Sequence, residues 1–228
     1  MGEKQSLIAL IKHIFIDIIN QKKRSFLIIY LSMLVIDRVN YMVFHFFAIG
    51  VSYFVLSVIC NIVLVYFYLS MDDSIPLDAI KKAVTENFFG AFKVATVNLL
   101  ILIIILLPIV GVIGSFSPVH VGYSGELGTL SVFIMIILLF IGGIFIVSIT
   151  SLSIIHSIVE HTGIRVSFRN GINTTRLYFE LIFKLMTIFI ILAIPAASEM
   201  LIMGFLSLIL QLSFISIAID CIKRQNAK

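Results

Sequence analysis

The stretch FLIIYLSMLVIDRVNYMVFHFF, residues 26–47, decides the fold. It is apolar enough to cross a bilayer except where Asp37, Arg38 and Asn40 interrupt it. The part before Asp37 is too short to span alone, because a crossing takes about 20 mostly apolar residues. Either residues 26–70 hold one crossing, or 26–47 is a crossing and 49–70 its return. Uninterrupted apolar runs follow at 94–115, 130–154 and 181–197, and one more at 201–219 after the short turn Ala197-Ser198-Glu199.

Charge placement chooses between these readings. With six crossings, every one of the 16 Lys and Arg except Arg38 falls on one side. Lys4, Lys12, Lys22, Lys23 and Arg24 precede the first crossing, and Lys81, Lys82 and Lys93 lie between the second and third. Arg165, Arg169, Arg176 and Lys184 lie between the fourth and fifth, and Lys223, Arg224 and Lys228 follow the last. Basic segments stay in the cytoplasm during insertion, so both termini are expected there. A single crossing over 26–70 would put the N-terminal cluster opposite Lys81 and Lys82. The first hairpin is therefore required, with Asp37 and Arg38 toward its outer end.

Composition agrees. The chain is 61% hydrophobic and 12% charged, with a mean hydropathy of +1.17. Soluble domains carry about twice that share of charge, and disordered chains far fewer apolar residues. A transmembrane barrel alternates apolar and polar residues along each strand, whereas these runs are continuous. The net charge of +4 marks topology and contact with anionic lipid. Nucleic-acid binding would need a soluble basic surface with exposed aromatics, and none is read here. The fold class expected is all-α: one polytopic domain over 1–228 with six transmembrane helices. Neither a cleavable signal peptide nor an acylated N-terminus is expected, although Met1 to Ser6 fits the myristoylation pattern. Cys60 reads as a small core residue, and with Cys221 it gives no disulfide framework. No cofactor is expected.

The inside segments have helical periodicity. Leu7, Ile8, Leu10, Ile11, Ile14, Phe15, Ile18 and Ile19 form one apolar stripe; Ile80, Val84, Phe88 and Phe92 form a second behind Pro76 and Asp78. Phe168, Ile172 and Phe179 form a third against Arg165, Arg169 and Arg176. Each reads as an amphipathic helix in the membrane interface, apolar face down and basic face toward lipid phosphates. Lys22, Lys23, Arg24, Lys81, Lys82, Arg165, Arg169 and Arg176 are the expected anionic-lipid contacts. A hairpin follows each helix, giving three repeats at 5–70, 75–154 and 162–222. The last two align Ile80 with Phe168, Lys81 with Arg169, Ala83 with Gly171 and Val84 with Ile172.

The segment from Ile158 to Gly171, with Glu160, Gly163, Arg165, Ser167 and Arg169, carries a resemblance. It resembles the YciC-like inner-membrane proteins and the related membrane domain attached to some glycerophosphodiester phosphodiesterases. Residues 79–113, ending in Leu107-Pro108-Ile109-Val110-Gly111, are similar to that family's middle unit. The match is best over 155–225 and poor over the first 70 residues, which lack the usual long outside loop. The resemblance implies six helices in a bacterial inner membrane, and it implies no catalytic residues.

Several constellations carry a chemical and a plainer reading. His156, Glu160 and His161 come nearest to a metal motif, but adjacent His161 points away from the face shared by the other two, so a solvated helix end is simpler. Asp72, Asp73 and Asp78 would serve a lipid enzyme only with further acids, so helix-end charges explain them better. Asp37, Arg38, Asn40 and His45 form either a polar cluster inside the first hairpin or a loop outside the hydrocarbon. Asn61, Asn98 and Gln211 read as interhelical hydrogen-bond glue. Pro108, Gly111, Gly114, Gly142, Gly143 and Pro195 mark flexing or close helix contact. Two functional classes remain. The first is a non-enzymatic inner-membrane protein acting through lipid or protein contacts, in an accessory, organising or immunity role, alone or as a homo-oligomer. The second is a transporter or permease subunit for an apolar or lipidic substrate.

Overall fold

The computed structural model describes residues 6–43, 48–70, 76–115, 126–196 and 200–227, with side-chain surroundings for 6–32, 34, 54–70, 76–101, 103–104, 141–193 and 201–227. All regular structure among them is helical. Helix α1 (Leu7–Lys12) runs into a π-helical segment (His13–Ile19). Then follow α2 (Lys23–Val43), α3 (Ala48–Leu69), α4 (Leu77–Ser115), α5 (Glu126–Glu160), α6 (Ile164–Leu177), α7 (Phe179–Ala196) and α8 (Met200–Asn226).

Side-chain pairs show the directions. Lys22, just before α2, reaches the carbonyls of Phe67 and Ser70 at the end of α3, so α2 and α3 are antiparallel. Phe54 meets Phe92 with ring centroids 5.5 Å apart between α3 and α4. Asn98 of α4 donates to the Thr150 carbonyl of α5 at 3.4 Å. Gly171 of α6 lies against Ser153, and Phe179 at the start of α7 meets Phe145, so α6 returns along α5. Tyr178 bonds Asp220 near the end of α8. The chain therefore runs up and down, with α3, α5 and α8 pointing the same way. The described core gathers where these three helices end: Leu10, Ile14, Phe67, Leu152, Ile182 and Ile215 are all fully buried.

Two stretches among the described residues, Ile141–Glu160 and Leu201–Asn226, are long and apolar enough to cross a membrane, and Phe54–Leu69 is a shorter apolar one. Large apolar side chains face outward from several helices: Leu99, Leu100, Ile103 and Ile104 on α4, and Ile191 and Leu192 on α7.

The amphipathic segments differ from expectation in two ways. The second is not a separate helix. Helix α4 continues unbroken from Leu77 to Ser115, about 58 Å at 1.5 Å per residue. No proline interrupts 77–107, and a bend there would break main-chain hydrogen bonds that nothing replaces. Helix α6 is separate, because Tyr178 leaves helical geometry at φ −109° and ψ 19°. Its buried face is nevertheless small and polar, not apolar: Ser167, Gly171, Thr174 and Thr175 face inward, while Phe168 and Ile172 are half-buried. A Cβ on Gly171 would stand 2.9 Å from both the Ile149 oxygen and the Ser153 nitrogen. Only glycine allows backbones this close.

Candidate functional site

Three sets of polar residues inside the bundle converge on the C-terminal half of α8. Three links meet there, each from a different element.

The first link comes from α5. Four residues apart on one helix face, His156 and Glu160 pair with Nδ1 2.7 Å from Oε2. The other ring nitrogen, Nε2, lies 2.9 Å from Thr174 Oγ1 of α6. That hydroxyl is 3.3 Å from Cys221 Sγ of α8. Asn170 donates to the same Glu160 oxygen at 3.0 Å. His156 and Thr174 are fully buried. The expected solvated helix end is thus corrected: α6 folds back over His156 because Gly171 lets it. His161 takes no part. It is exposed, at φ 51°, and turns the chain from α5 into α6.

A second link comes from the break between α6 and α7. Tyr178 donates to Asp220 Oδ2 at 2.5 Å, and Arg224 Nε donates to the same oxygen at 3.0 Å. Burial, then the hydrogen bond to Asp220, pushes the Tyr178 phenol well above its usual value. It therefore stays a proton donor.

The third link comes from the π-helical segment. His13 Nδ1 lies 2.7 Å from Asp17 Oδ2, and Nε2 lies 3.0 Å from the Tyr68 hydroxyl of α3. Tyr68 donates to Ser216 Oγ of α8 at 3.1 Å.

Lys22 corrects a further expectation. It is only 5% exposed and cannot touch lipid phosphates. Its Nζ donates to the Phe67 carbonyl at 2.7 Å and to that of Ser70, and it sits 5.1 Å from the Phe67 ring centroid. A helix C-terminus leaves carbonyls without partners and carries partial negative charge, and the ammonium answers both. The other expected contacts, Lys23, Arg24, Lys81, Lys82, Arg165, Arg169 and Arg176, are exposed.

Asp37, Arg38 and Asn40 belong to the helical backbone of α2 rather than to a loop, and their side chains lie outside the described residues. His45, Asp72 and Asp73 also lie outside them. Pro108, Gly111 and Gly114 fall within α4, and Pro195 within α7, with their surroundings outside the described residues. No described atom comes within 4 Å of a Cβ built at Gly142 or Gly143. Asn98 does bridge two helices, whereas Asn61 bonds its own helix at Ser57 and Gln211 Oε1 has no partner among the described residues. The serines of α5 satisfy themselves: Ser148 and Ser153 donate to the carbonyls of Ile144 and Ile149, both at 2.6 Å.

Sequence reasoning missed Thr174, Tyr178, Asp220 and the His13–Asp17 pair. The spacing of four between each histidine and its acid was the available signal. A hydroxyl, an imidazole and a carboxylate in this order form the relay of acyl-transfer enzymes. Here the hydroxyl and the ring are both fully buried. Among the described residues, no three His, Cys, Asp or Glu side chains group to hold a metal ion. No family model, no curated protein and no solved structure matches the chain.

Proposed function

We propose that the chain is an integral protein of a bacterial inner membrane that works through lipid or protein contacts, not through catalysis. In this reading six helices cross, both termini are cytoplasmic, and the plan is three units of amphipathic lead and hairpin, as in the YciC-like proteins it resembles. The outward apolar side chains of α4 and α7 support the membrane setting. The correspondence of Lys81 with Arg169 and of Val84 with Ile172 supports the repeat.

One observation carries the non-catalytic reading. The hydroxyl–imidazole–carboxylate chain of Thr174, His156 and Glu160 is closed on itself, with two of its three members fully buried. Such a network fixes α6 against α5, and the contact of Thr174 with Cys221 ties both to α8. The test is native mass spectrometry of the full chain, solubilised gently from its own membrane. Retained lipid or a stoichiometric non-enzymatic partner is the expected result. Co-purification with an ATPase would replace this reading with a permease subunit. Turnover that Thr174→Val abolishes without loss of thermal stability would replace it with an enzyme.

A further inference from the structure

The orientation of α6 is fixed by Gly171, whose contact with α5 admits no side chain. At 100° per residue, Arg165, Arg169 and Arg176 fall within about 40° of one another, directly opposite the buried face. All three are exposed, and none makes an ion pair with a described residue. Exposed Val166 and Leu177 flank the column.

Height along the bundle follows from register. Gly171 against Ser153 and Phe179 against Phe145 place Arg176 level with Val147 and Ser148 of α5. Gly90 against Ser157 and Asn98 against Thr150 place Leu99 and Leu100 of α4 at that same level. Exposed Val147, Leu99, Leu100, Ile103 and Ile104 lie at or below it, and exposed Lys93 lies above it. The unbroken apolar belt of α4 and α5 thus ends where Arg176 sits, and above it exposed Phe89 stands among Thr85, Glu86 and Lys93. Helical side chains lean toward the N-terminus, and α6 starts at the far end from the belt. The Arg176 guanidinium therefore reaches away from hydrocarbon into the head-group layer.

We propose that α6 docks on anionic phospholipid head groups through Arg176, Arg169 and Arg165, with strength falling in that order. The proposal rests on the membrane reading above and names its lipid partner. Arg169 stands about 10 Å and Arg165 about 16 Å above Arg176 at the helical rise, against a screening length of about 8 Å at physiological salt. Lys81 and Lys82 project beyond the end of α5, about 27 Å above Arg176 by the same rise, and contribute nothing. Charge and the apolar flank together favour a lipid surface: Leu177 meets acyl chains where Arg176 meets phosphate.

The chain has no tryptophan, so Leu177→Trp installs a single reporter beside Arg176. The full chain carrying it is reconstituted in vesicles containing brominated phosphatidylglycerol or, separately, brominated phosphatidylcholine. Quenching is expected to favour the anionic lipid, with a relative affinity of about fivefold for one arginine at the surface, and to weaken with salt. Arg176→Gln should bring the preference close to one, Arg176→Lys should keep it, and Arg169→Gln should lower it less. Lys81→Gln with Lys82→Gln should leave it unchanged. Equal quenching by both lipids overturns the docking proposal and leaves the membrane reading standing. So does an equal loss from the two lysine substitutions. Abolition of the preference by inorganic phosphate at constant ionic strength would assign a discrete anion site and overturn the proposal as well. Quenching by neither lipid overturns the docking proposal, and failure of the chain to float with the vesicles overturns the membrane reading itself.

Discussion

The chain builds the same local device twice and spends it differently. His13 with Asp17, and His156 with Glu160, are both histidine–acid pairs four residues apart, with Nδ1 2.7 Å from a carboxylate oxygen. Both rings offer Nε2 to a hydroxyl, Tyr68 at 3.0 Å and Thr174 at 2.9 Å, and both hydroxyls reach α8. Burial separates them. Side-chain exposure is 36% and 53% for His13 and Asp17, but 0% and 23% for His156 and Glu160. Water competes for both partners of the first pair, whereas in the second it reaches Glu160 but not the ring. An identical motif is therefore a half-exposed link at one end of the chain and a buried joint at the other.

The sharpest test of that contrast is His156→Ala. It leaves the Glu160 carboxylate and the Thr174 hydroxyl without their ring partner inside the bundle. Stranding buried polar partners costs about 2–4 kcal/mol. Thermal unfolding of the full chain in detergent should show the loss. A change no larger than that of a surface substitution would break the comparison.

Gly171→Ala tests why the second pair is buried at all. The new methyl meets the Ser153 hydroxyl and also the backbone of Ile149 and Ser153, and the backbone cannot give way, so α6 must lift from α5. Overpacking of this kind costs about 1–3 kcal/mol. The local readout is Cys221, which is buried beneath Thr174. In a Cys60→Ala background, a thiol reagent should label Cys221 faster in the glycine variant than in its parent. Unchanged labelling would mean that α6 does not cover the joint.

These two residues also show how far the sequence could be read. Continuous apolar runs made the helical class legible, and charge placement made the antiparallel pairing of α2 with α3 legible. The pairing of His156 with Glu160 was visible in its spacing. Its burial was not, since that depends on Gly171 meeting Ser153 across the turn at 161–163. Lys22 was misread for the same reason. Nothing near it in sequence shows that the end of α3, with Phe67 and Ser70, folds back onto it. The continuity of α4 could have been read from the lack of a breaker before Pro108, but its periodic apolar stripe suggested a separate surface helix. Asp220, Cys221 and Tyr68 were out of reach, because their partners lie far away along the chain.

Tyr178→Phe should cost less, about 1 kcal/mol, because Arg224 still satisfies Asp220. Its effect should depend on pH. The folded phenol titrates above the unfolded value of about 10, so its neutral form is the one the fold prefers. The stabilisation is then complete below pH 10, the unfolded value, and is lost as pH rises toward the folded one. The gap in stability between parent and variant should be constant through neutral pH and should close in strong alkali. A gap that instead widened with alkali would show that Tyr178 binds Asp220 in some other protonation state.

The smallest effect belongs to the first pair, and it is the one that completes the comparison. Both partners are more than a third exposed, so their attraction is weakened by water and salt. Pairs of this kind contribute about 0–1 kcal/mol. His13→Ala should fall at the low end of that range, and Asp17→Asn should match it. The double variant should then cost nearly the sum of the two, with a coupling near zero once salt shortens the screening length. The corresponding cycle at His156 and Glu160 should keep its coupling at high salt, because the ring is shut away from ions. If both cycles gave the same coupling and the same salt dependence, burial would not be what distinguishes the two ends of the chain. The contact of His13 with Tyr68 would then rank beside that of His156 with Thr174 as a joint of the bundle.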